Sequence, residues 1–366
     1  MAQELLVSTR KGLFTLRNNG SWHIGEADFL GDNVTLALHD PRNGWRYAAL
    51  DHGHFGVKLH RKKPGGNWEE IAAPAFPTKP DDVVDTDGWG RVLPWTVMRV
   101  WSLEAGGADE EGRLWCGTIP GALFRSDDHG GSWHWVKNLW DHPARKRWMG
   151  GGADWPGIHS ICVDPRDSRI VRLGVSCGGV VRTRDAGKSW EVTATGMRAE
   201  FLPPEQAGDP EVQDAHLLVQ CPGAPERMWV QHHNGIFRTD NAAIDWTEIT
   251  GVEPSAFGFA VAVHPDQPDT AWFVPGIKDE KRYPVDARLV VTRTRDGGRS
   301  FDMLTDGLPQ QHAYDVVWRH ALSIDETGDR LAFGSTTGGL WLTEDQGDHW
   351  REISHTLPPV HAVRFA

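Results

Sequence analysis

The chain has 366 residues and a net charge of −12, from 50 acidic against 38 basic residues, with no long run of like charge. That balance argues against a phosphate-backbone partner, so nucleic acid is set aside. No stretch approaches 18 uninterrupted apolar residues, and the opening MAQELLVSTRKG passes straight into an alternating apolar segment. The expectation is therefore a soluble, cytoplasmic protein with no membrane partner. Cys116, Cys162, Cys177 and Cys221 stand singly without CxxC spacing, which suits buried thiols in a reducing compartment.

In chain order, Leu5–Leu16 reads as two strands joined at a glycine, followed by RNNGSW (Arg17 to Trp22). A related segment returns as RKKPGGNW (Arg61 to Trp68), then as SDDHGGSW (Ser126 to Trp133), TRDAGKSW (Thr183 to Trp190), TDNAAIDW (Thr239 to Trp246), TRDGGRSF (Thr294 to Phe301) and TEDQGDHW (Thr343 to Trp350). The best copies share Ser/Thr-x-Asp-x-Gly-x-x-aromatic, at intervals that suit propeller blades. The motif has a local logic. The Asp accepts backbone N–H groups inside a tight turn, the Gly takes a positive φ, and the aromatic ring packs between sheets. Between the turns lie apolar segments such as HSICVDP, HLLVQCP and FAVAVHP, each read as the innermost strand of a blade. The chain ends PPVHAVRFA, another inner strand, and begins on a second and third strand. Residues 1–366 are thus expected to form one all-β domain, a seven-bladed β-propeller closed by the C-terminal strand.

On these turns the chain resembles the Asp-box (BNR-repeat) β-propellers, a group that includes sialidases, sortilin-type domains and bacterial glycosyl hydrolase-like proteins. The resemblance spans essentially the whole chain and implies the fold. The motif is specific for the fold and not for the activity, because Asp boxes lie on turns remote from the sialidase active site.

In a four-stranded meander, the loop entering the inner strand and the hairpin joining strands two and three emerge on the face opposite the Asp boxes. Thr35, Trp101, His159, His216, Phe259, His320 and His361 hold equivalent places at the starts of the inner strands, and four of these seven are imidazoles. The hairpin position of His233 is held in other blades by Arg10, His54, Pro120, Cys177 and Thr337. Long insertions at 74–97, 138–157, 199–215 and 276–288 crowd the same face, and clustered loops of this kind wall functional cups.

Three chemistries suit such a cup. Converging imidazoles suit a divalent transition metal, Zn, Mn, Fe or Ni, with His159, His216 and His233 as the expected ligands. Metal-dependent oligogalacturonate lyases, also propellers, are similar in binding a metal through His and Gln, and QHH at 231–233 matches this in part. A proton-transfer site would use His216 oriented by Asp214 or Asp315, with His54, Trp101, Arg282, His320 and His361 contacting substrate. A glycosidase needs two carboxylates, and Asp154, Glu205, Asp214, Asp279, Glu280, Asp286 and Asp315 fall in the cup loops. The sialidase pattern of three arginines and a Tyr–Glu pair has only a partial counterpart, Tyr283 with Glu280 and Arg282 or Arg288. His39, His129, His264 and His349 read as structural. The expected function is a hydrolase or lyase on a small polar or carbohydrate-like substrate. The alternatives are a non-catalytic binding propeller with a protein partner and a carboxylate-dependent glycosidase.

Overall fold

The computed structural model describes residues 4–151 and 153–366. Seven four-stranded antiparallel sheets follow one another around a ring. Six are meanders of consecutive strands, with inner strands Val34–His39, Arg99–Ala105, Ile158–Val163, Ala215–Cys221, Gly258–Val263 and Leu322–Ile324. In the seventh, Val360–Phe365 lies innermost beside Glu4–Thr9, so the C-terminal strand closes the ring. No helix among the described residues is long and apolar enough to cross a membrane.

The repeated turns have the hydrogen bonds their sequence requires. In the blade-four copy, Asp185 Oδ1 accepts the N–H groups of Lys188 at 2.9 Å and Ser189 at 2.8 Å, while Thr183 Oγ1 accepts that of Gly187 at 2.9 Å. Gly187 has φ +85°, where a side chain is strained. Of the tryptophans that end the motifs, Trp22, Trp190, Trp246 and Trp350 are buried, Trp190 at 8% and Trp350 at 5% exposure, while Trp68 and Trp133 are partly buried. All four cysteines are buried and free.

One irregularity repeats and matters for the site. Ladder register slips between Val34 and Leu36, Val100 and Ser102, Ile158 and Ser160, Ala215 and Leu217, and Gly258 and Val261. In the closing strand Ser8 faces Ala362 and Thr9 faces Val360, which leaves His361 out of the ladder. The residues passed over include Thr35, Trp101, His159, His216 and Phe259, the positions that the repeat aligned. A β-bulge frees its extra residue from pairing and re-aims its side chain. His320 stands apart, bridging in parallel to Ala362 just before its strand begins.

The insertions form ordered walls. Asp85 accepts the indole N–H groups of Trp95 and Trp140, at 2.7 and 3.1 Å, and pairs at 3.1 Å with Arg145, which is 2% exposed. Arg147 reaches across to Asp209 and Glu211, tying the blade-four insertion to that of blade five.

Candidate functional site

Asp214 directly precedes the inner strand of blade five, His216 is its bulged residue, and His233 sits in the hairpin of the same blade. His232, its neighbour in sequence, is fully buried, and its ring nitrogens lie 3.1 Å from the backbone nitrogens of Asp214 and Asn234. Burial pushes its pKa down to about 3, so it is a neutral framework ring. Its register partner is Ala215, and the turn beyond the ladder carries His233 toward Asp214.

The ligating atoms of Asp214, His216 and His233 all lie within 4.8 Å of one another. His233 Nδ1 is 3.3 Å from Asp214 Oδ2, and His216 Nε2 is 3.7 Å from the same oxygen. His216 Nδ1 lies 2.7 Å from the carbonyl oxygen of Gly258 and must donate to it. The other carboxylate oxygen, Asp214 Oδ1, accepts the N–H of Cys177 at 3.2 Å. Burial works to raise the Asp214 carboxyl, but the His216 and His233 rings and the Arg319 charge hold it well below the usual range. Burial lowers His216, whereas the contact with Asp214 raises His233. The rings are boxed by aromatics. His216 stacks on Phe259 with centroids 4.6 Å apart, and Phe257 and Phe201 stand edge-on to the pair.

Arg319 comes from the residue before His320. The corresponding residues elsewhere are Val34, Val100, Ile158, Ala215, Gly258 and Val360, all small or apolar. A lone Arg in that column was the signal available in the sequence, and alignment on the histidines passed over it. Its guanidinium lies 5.0 Å from the Trp101 ring centre and 5.3 Å from that of Phe259. It is 6% exposed, with Nε and Nη2 making no hydrogen bond. Burial pulls its pKa down to about 10, so it remains a cation at neutral pH. A buried cation without a full set of partners costs stability, which the two ring contacts only partly offset.

Other expected residues fall elsewhere. His159, expected as a ligand, lies outside the Asp214 group. Its ring turns to Ser160 Oγ at 2.8 Å and meets Trp101 edge-on, so Asp214 takes the place assigned to it. His320 donates from Nε2 to the His159 carbonyl at 2.7 Å, and His361 Nε2 bonds Asn33 Oδ1 at 2.9 Å, so both serve the ring of inner strands. His54 is exposed against Phe55, outside the group. Asp315 is taken up by the hydroxyls of Ser335 and Thr337 in blade seven. Glu280 is exposed and pairs with Lys278 at 3.2 Å, while Tyr283 packs near Tyr314, which leaves no Tyr–Glu pair in evidence. Arg282 does reach the site, 5.5 Å over Phe259, held by Asp279.

A cavity of about 720 Å³ is lined by all seven inner strands and reaches His159, Arg319 and His320. None of Asp214, His216 and His233 lines it, so the polar cluster lies beside the axial cavity.

Comparison with known proteins follows this geometry. No family model matches the chain. An oligoxyloglucan-reducing end-specific xyloglucanase of Emericella nidulans is 26% identical over 280 residues, 69% of this chain and 32% of the relative. A probable enzyme of the same name from Neosartorya fischeri is 25% identical over 281 residues, with the same coverage. The chain thus spans about a third of the length of the curated relatives it matches. Among solved structures, the GH74 xyloglucanase of Xanthomonas campestris superposes with a TM-score of 0.63 at 17% identity, over 100% of this chain and 52% of that one. YCF48 bound to a D1 peptide superposes with a TM-score of 0.52 at 12% identity, over 87% of this chain and 80% of that one. At such identities the structural likenesses concern the propeller fold, which an enzyme and a peptide-binding protein share.

Proposed function

We propose that the chain is a hydrolase or lyase acting on a carbohydrate-like or other small polar substrate, with the cup around Asp214, His216 and His233 as its active site. The observation that carries this reading is the meeting of one buried carboxylate and two imidazoles, walled by aromatics, with the Arg319 cation over the same Phe259 ring. Such a cluster can activate water or take up a proton. A cation and aromatic rings are the groups that hold polar sugar faces. The two sequence relatives are xyloglucanases by name, which supports a carbohydrate as the first substrate class to test.

The test is a turnover panel of xyloglucan oligosaccharides, aryl glycosides, uronate-containing oligosaccharides, esters and lactones. His233→Ala is expected to lower turnover by about 100-fold or more while leaving thermal unfolding nearly unchanged. His349→Ala, in an exposed Asp-box turn, is expected to leave it unaltered. A panel that stays inert with and without added divalent ions overturns the catalytic reading, and the chain is then a binding propeller.

A further inference from the structure

We infer that Asp214, His216 and His233 bind one divalent transition-metal ion with a coordination position left open. The inference takes only its location from the proposed active site, and its test reads the ion itself.

The 2.7 Å contact to the Gly258 carbonyl places a proton on His216 Nδ1, which leaves Nε2, 3.7 Å from Asp214 Oδ2, as the nitrogen that can ligate an ion. This nitrogen and the carboxylate face each other in a site where Asp214 is 4% and His216 2% exposed. Little water is at hand to screen them, and such an arrangement is favourable once a cation stands between them.

Spacing agrees. Nitrogen and oxygen ligands bound to one ion at about 2.0–2.2 Å lie roughly 3–4 Å apart. The separations from Asp214 Oδ2 are 3.3 Å to His233 Nδ1 and 3.7 Å to His216 Nε2. The groups that hold these ligands in place are also present. The Gly258 carbonyl fixes the His216 tautomer and the Cys177 N–H fixes the carboxylate, the partners that orient metal ligands generally. The backbone at Gly151 closes over this pair, since a Cβ there would stand 2.5 Å from Cys177 Sγ and 3.2 Å from Asp214 Oδ1.

Two imidazoles and one carboxylate suit Zn, Mn or Fe(II) better than Mg or Ca, whose shells are built from oxygen. Three protein ligands leave at least one position for water or substrate. The His233 side chain, 22% exposed, marks the open side.

The experiment uses the full chain, stripped with a chelator and dialysed, then titrated with Zn²⁺, Mn²⁺ and, as a hard-ion control, Mg²⁺. Calorimetry and elemental analysis are expected to find one equivalent of Zn²⁺ or Mn²⁺, with little Mg²⁺ retained, and bound ion should raise the unfolding temperature. Asp214→Asn and His233→Ala should each weaken binding by about 100-fold or more. His233 is the more accessible position, so its variant serves if the buried Asp214→Asn fails to fold. Absence of a bound equivalent, or binding that survives in His233→Ala, overturns the inference. Metal binding without turnover would sink the enzymatic reading alone, and turnover that persists in chelator would sink the metal alone.

Discussion

Ending the chain at Pro358 is expected to abolish cooperative unfolding. The eight residues removed include the inner strand of blade one, where Leu5 faces Phe365, Leu6 faces Arg364 and Val7 faces Val363. The same strand joins the neighbouring blade through hydrogen bonds from Val360 to Ser335 and from Val363 to His320, both at 2.9 Å. Val360 is fully buried and packs so closely on blade seven that a Cβ at Gly334 would lie 2.4 Å from its side chain. Burying Val360, Val363 and much of Phe365 contributes roughly 1.5–3 kcal/mol apiece, against a total of about 5–15 kcal/mol for a typical domain. The loss also leaves Glu4–Thr9 as an open edge between two apolar faces. Calorimetry should find no sharp transition and increased aggregation for the shortened chain. A transition at the unshortened temperature would show that the ring does not depend on this closure.

Acid is expected to weaken the protein in two stages. Burial depresses the pKa of both His320 and His361 to about 4, against an ordinary value near 6.5. The folded state therefore refuses protons that the unfolded chain accepts. Stability is fully present above pH 6.5 and falls as the pH drops toward 4, by about 2 kcal/mol for each ring. The second stage comes from the Asp boxes. Asp128, Asp185 and Asp296 are each held at about 2 by the Ser hydroxyl and backbone N–H groups they accept, for Asp128 and Asp296 against some opposing burial. Their support is present above pH 4 and is lost as pH falls toward 2. Urea unfolding at pH 7.5, 5.5 and 4.5 should show the first stage. His361→Gln, which retains an amide to meet Asn33, should reduce it by about half, the rest belonging to His320. Equal stability at pH 7.5 and 4.5 would contradict the burial argument for these rings.

The ring and the place of its closure were legible from the residues alone. Asp-box turns are legible because their bonds are local: Thr183 to Asp185 and Gly187, and Asp185 to Lys188 and Ser189, all lie within four residues. A pattern repeated at that range survives in one dimension. The closing strand was legible for a similar reason, since PPVHAVRFA carries the alternation of its sister strands without needing to know its neighbours. The repeat also located the bulge positions, because the residues it aligned are, in six of the seven blades, those that leave the ladder.

Which of those side chains meet depends on the packing of one blade against the next. His159 and His216 hold equivalent places, yet one turns to Ser160 and Trp101 while the other turns to Gly258 and Asp214. Their backbones are alike, and the choice is made by the neighbouring blade. Phe259 stacks beneath His216, and the carbonyl of Gly258 fixes its proton. Asp315 was as plausible in sequence as Asp214, but the hydroxyls of Ser335 and Thr337, twenty and more residues away, engage it first. Arg319 acquires its meaning only from Trp101 and Phe259, supplied by two other blades. A repeat specifies its own strands and turns through contacts close in sequence. In the candidate site the three clustered side chains come from one blade, but the groups that orient them come from its neighbours, Cys177 37 residues from Asp214 and Gly258 42 residues from His216.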